Sequence, residues 1–108
     1  MDANQLVDDL AKLFPQFEAE WYESTEGEPW SHTLHAVWMS FAPFCRGYLE
    51  SATKRDQIKF CKLINQHVSE GGNSENAVST CLLEHASQIG IRTLVRKHLS
   101  PEAKLELR

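Results

Sequence analysis

Leu6, Val7, Leu10, Leu13 and Phe14 recur at three- and four-residue spacing, with Asp8, Asp9 and Lys12 on the other side, the pattern of a helix buried along one face. This first helix is expected to begin near Asp2 and to be interrupted at Pro15. Proline suits a first helical turn, so Pro15 to about Tyr22 reads as a second short helix burying Phe17 and Trp21. Glu23 to Ser31 reads as a loop, because Ser24, Thr25, Gly27 and Pro29 favour turns and Ser31 can cap the next helix. That third helix, over about His32 to Ser51, carries Leu34, Trp38, Phe41, Cys45, Tyr48 and Leu49 as one apolar stripe. Pro43 inside it predicts either a kink near Met39 to Phe44 or a break into two helices.

After a cap at Ser51 or Thr53, a fourth helix turns Ile58, Cys61, Ile64 and Val68 inward and its lysines outward, and Gly71-Gly72 ends it. Ser74 then caps a fifth helix with Ala77, Val78, Cys81, Leu82, Ala86 and Ile89 on its apolar face and Gly90 as its stop. Ile91 to Leu99 forms a sixth, and Ser100-Pro101-Glu102 supplies the cap, the proline and the acid that open a last short helix. No strand-like alternation competes. The expected fold is all-α, one domain over residues 1–108: an irregular antiparallel bundle of six to seven helices. Helices three and four, and five and six, would pair as hairpins, in an arrangement open to HEAT-like stacking.

The chain has 108 residues, 42% of them hydrophobic and 24% charged, enough for one core without disulfides. Its N-terminal residues lack a basic, apolar leader, and no apolar run approaches the roughly 20 residues of a bilayer span, so a cytoplasmic location without a membrane partner is expected. Cys45, Cys61 and Cys81 form no CxxC pair and read as reduced, buried thiols. The net charge of −4 hides an asymmetry: residues 1–50 hold nine acids against Lys12 and Arg46, whereas residues 51–108 hold nine bases against six acids. Glu18, Glu20, Glu23, Glu26 and Glu28 succeed one another with no base between them, a surface that repels nucleic acid.

Candidate chemistry is sparse. His32 and His35 are spaced to share a helix face, but no third or fourth metal ligand stands at the right offset, so no metal is expected there. Glu84 and His85 are adjacent and diverge on a helix, which argues against an acid/base pair; Glu84, near the apolar face, is read either as a structural salt-bridge partner or as a contact for another protein. No glycine-flanked serine, exposed activated cysteine or lysine-bearing phosphate loop is present. Lys54, Arg55, Lys59 and Lys62 line one side of helix four without interleaved aromatics, a solvated face rather than a nucleic-acid site. The sequence predicts no enzyme and no cofactor.

The segment from Ser74 to His85, SENAVSTCLLEH, resembles the "N-A-V…F-L-E-N/H" helix of small all-helical immunity proteins from bacterial polymorphic-toxin loci, with Leu83 where phenylalanine is more usual. Phe14-Pro15-Gln16-Phe17 with Trp21, the histidine after Trp30-Ser31, and Leu99-Ser100-Pro101-Glu102-Ala103-Lys104 resemble three further features of that group. The resemblance implies a protein that binds and neutralises a cognate secreted toxin domain: a monomer when free, a heterodimer with the toxin. An acidic surface would then steer association, with Tyr22, Glu23, Glu26, Glu28, Trp30, His32 and Glu84 as contact residues. Trp21 is open to either contact or core packing. The rival reading is a helical adaptor recognising an endogenous partner through the same face, and a small metalloenzyme built on His32 and His35 is a third.

Overall fold

Asp2 opens helix α1, Ala3–Leu13, by accepting the Gln5 amide at 2.8 Å, a side-chain cap on an otherwise unpaired donor. The computed structural model describes residues 2–25 and 32–108, with side chains over 2–23 and 32–108. Among the described residues there are seven α-helices and no strand. After α1 come α2 (Gln16–Thr25), α3 (Leu34–Ser51), α4 (Lys54–Glu70), α5 (Gly72–Cys81), α6 (Arg92–Val95) and α7 (Pro101–Glu106), with 3₁₀ turns at Leu83–His85 and Arg96–His98. The fold is therefore the all-α bundle that the periodicity predicts, and no described helix is long and apolar enough to cross a membrane.

Several caps fall where turn chemistry places them. Thr53 Oγ1 accepts the Asp56 amide, and Ser100 Oγ accepts that of Ala103 ahead of a helix with Pro101 in its first turn. Gly71 closes α4 with φ +70°, the left-handed conformation that glycine adopts without strain. The Gln57 side-chain amide of α4 reaches back 2.7 Å to the Leu49 carbonyl, which also accepts the Ala52 amide at the end of α3.

Other boundaries differ from expectation. Helix α2 runs on through Thr25, so Glu23 is helical rather than part of a loop. Thr33, not Ser31, caps α3, and His32 therefore precedes that helix instead of sharing a face with His35. Pro43 does not divide α3, which is continuous over 18 residues. Ser74 is a buried residue inside α5, whose first turn starts two residues earlier at the Gly71-Gly72 pair. Nor does α5 reach Ile89: it stops at Cys81, and the chain tightens so that Leu82, Leu83, Ala86 and Ile91 are all buried. The Leu83 carbonyl accepts the Arg108 amide at 2.8 Å, tying the last residue to this turn.

The core is one contiguous apolar cluster centred on rings. Phe41 lies 5.2 Å from Phe17, edge to face, 5.5 Å from Phe60 and 6.0 Å from Trp38. Phe14, at the end of α1, stacks on Tyr48, and Phe17 of α2 meets Phe41, so the α1–α2 turn and the start of α2 pack against α3. Helix α5 lies across both α3 and α4, which pack on it rather than along each other, and α6 packs on α4, so neither expected hairpin forms, three with four or five with six. In α4 the inward positions are Phe60, Cys61, Ile64, His67 and Val68, with Ile58 only half-buried. Cys45 and Cys61 are buried free thiols, whereas Cys81 is half-buried.

Candidate functional site

Helix α2 buries Phe17 and Trp21 and turns Glu18, Ala19, Tyr22 and Glu23 to solvent, as one face of a 3.6-residue repeat must. Tyr22 is 63% exposed, a large ring standing among carboxylates on a helix that has no basic residue. His32 is exposed as well. Of the other predicted contacts, Glu26, Glu28 and Trp30 lie outside the described residues. Trp21 is core, at 5% exposure.

Glu84 is not near the apolar face: the 3₁₀ turn carries it into solvent, away from this surface. Its neighbourhood is acidic. Glu106 is held above the usual carboxylate range by burial and by the Glu75 carboxyl group against it, with Glu84 adding repulsion and the Ser79 hydroxyl opposing the shift. His35 is tied to α5, its Nε2 3.2 Å from the Asn76 amide nitrogen. Among the described residues no three His, Cys, Asp or Glu side chains gather as metal ligands. The thiols lack the setting of nucleophiles: burial pushes Cys45 far up and Cys61 up to about 12, and burial with the nearby Glu84 raises Cys81.

The larger concave feature lies at the N-terminal end of α2. A groove of about 680 Å³, within the size range of ligand sites, runs between the α1–α2 turn, the outer face of α3 and the start of α4. Phe14, Tyr48 and Phe44 form its ring ladder, with Phe14 and Tyr48 stacked at 5.4 Å and Phe44 and Tyr48 at 5.9 Å. Pro15, Pro43 and Gly47 also line it, and among the described residues Asp56 is its only ionisable one besides Tyr48. Burial, reinforced by the Glu20 carboxylate, pushes the Tyr48 phenol up, so it remains an O–H donor.

Sequence reasoning misses the groove because Tyr48 belongs to the apolar stripe of α3, which points it inward. One signal was available. Pro43 and Gly47 stand four residues apart inside an 18-residue helix, where proline and glycine disfavour the helix by about 3 and about 1 kcal/mol relative to alanine. Both line the groove. Beside it, a second depression of about 420 Å³ between α1 and α4 mixes Lys12, Lys59 and Lys62 with Asp9 and Asp56.

Residues 7–108 match a family described as a domain of unknown function (DUF7674). No curated protein and no solved structure matches the chain.

Proposed function

We propose that this chain, which belongs to the DUF7674 family, is a protein-binding inhibitor of the immunity-protein kind, neutralising a secreted bacterial toxin domain by direct contact. The observation that carries this reading is the exposed face of α2, where Tyr22 stands among Glu18 and Glu23 with no base in the helix. Interfaces that bind tightly centre on aromatic anchors, and a field of one sign speeds encounter with a partner of the other. The motif resemblance supplies the partner class, and the acidic first half of the chain suits a basic toxin domain.

The chain itself does no chemistry on this reading. It covers the toxin's working surface, and its own rigid aromatic core keeps the contact face preformed, so that little ordering entropy opposes binding. The free protein is a monomer in the cytoplasm of the cell it protects and forms a heterodimer with the toxin. Co-expression with the toxin domain proposed as its target tests this: survival together with co-purification is expected. Continued killing beside a folded, soluble chain would overturn the reading and favour an adaptor with an endogenous partner.

A further inference from the structure

Two residues that a helix disfavours, Pro43 and Gly47, occupy successive turns on one exposed side of α3, and the fold gives no internal reason for either. Gly47 is helical, and a Cβ added there would meet nothing within 4 Å. Gly47 lines the groove, so a side chain at that position would take up space beside it. The absence of one leaves the exposed Phe44 ring and the half-buried Tyr48 accessible from the groove, while Phe14 is buried. Local rules of helix formation are broken where function asks for it, and here both departures converge on one concave surface.

The charge around the groove selects the occupant. No lysine or arginine lines it; Asp56 stands at the wall on the α4 side, and the Glu20 carboxylate acts on Tyr48. An anionic group would favour the neighbouring depression with Lys12, Lys59 and Lys62. The exposed Phe44 ring and the Asp56 carboxylate suit a guanidinium or ammonium carried next to an apolar side chain, since the ring attracts the cation and the carboxylate pairs with it.

We infer that this groove seats a segment of a protein partner that presents arginine or lysine beside an apolar residue, with Phe44, Gly47, Tyr48 and Asp56 as its contacts. The inference deepens the proposed function by naming the chemistry of the bound segment, and rests on it only for the partner's identity. The acidic face of α2 then steers the partner, and the groove holds it.

The synthetic octapeptide Gly-Arg-Leu-Arg-Phe-Arg-Leu-Gly, and a twin with glutamate at every arginine, test this by amide chemical-shift titration of the intact chain. The arginine peptide is expected to move the amides of Phe44, Gly47, Tyr48 and Asp56, and Gly47→Leu to weaken it about tenfold without lowering Tm. Asp56→Asn provides a second variant that leaves the groove's shape unchanged, and should weaken binding and flatten its salt dependence. Equal binding of the twin, unmoved groove amides at millimolar peptide, or unchanged affinity in both variants would overturn the inference. In co-expression, a wild-type chain that fails to protect strikes the neutralisation reading alone. Protection by wild type and by both variants alike strikes the groove alone.

Discussion

His67 is fully buried on α4, edge to face with Trp38 at 5.7 Å, and neither ring nitrogen has a hydrogen-bond partner. Burial holds its pKa below the ordinary histidine value against the opposing pull of Glu70 and Asp9. Above the unfolded pKa both states are neutral and the fold keeps its full stability. As pH falls through that value the unfolded chain takes up the proton first, so stability is lost and levels off only below the folded pKa. Denaturant unfolding at about pH 7.5 and about pH 5 should show this loss, and His67→Phe should shrink the difference between the two. Glu106 has the opposite sign. Its raised pKa reflects burial and repulsion from Glu75, so the charged form weakens the fold at neutral pH. Glu106→Gln should raise the unfolding free energy by about a few tenths of a kcal/mol once solvent screening is allowed for, and a slightly higher Tm in a calorimetric scan at neutral pH checks it.

At the scale of elements, Asn65 on α4 holds the approach to α7 with both ends of its amide: its Nδ2 donates to the His98 carbonyl at 3.3 Å, and its Oδ1 accepts the Ser100 amide at 2.9 Å. Asn65→Ala should lower the unfolding free energy by about 1–3 kcal/mol, because two half-buried backbone groups lose their partners; chemical denaturation measures it. This junction was illegible in the sequence, since nothing local to Asn65 marks a contact more than thirty residues away. What was legible is what depends on neighbours along the chain. The cap at Asp2, the stop at Pro15, the Thr53 and Ser100 caps and the Gly71 terminus all arise from side-chain and backbone chemistry within one turn. The early end of α5 at Cys81 depended on tertiary burial instead, of Leu82, Leu83 and Ala86 together. The candidate site divides in the same way. Exposure of Tyr22 and Glu23 comes directly from the period of α2. Glu84 departs from expectation because a 3₁₀ turn, not an α-helix, presents it, and the groove needed three elements to meet.

Across the whole molecule, charge and shape divide the work. The outer face of α2 is acidic, whereas α4 turns Lys54, Arg55, Lys59 and Lys62 to solvent, which gives the chain a polarity that its net charge of −4 conceals. Reversing Glu18 and Glu23 to lysine should slow association with a basic toxin domain by about tenfold at low salt and flatten its ionic-strength dependence, leaving Tm unchanged. Both side chains are exposed, so the fold tolerates the change, and stopped-flow mixing reads the rate. The central claim is neutralisation by contact. Titrating the purified chain into the purified toxin domain that it is proposed to neutralise, while following the toxin's activity, tests it most directly. Activity should fall linearly and vanish at one equivalent. Full toxin activity in the presence of excess folded chain would contradict the account.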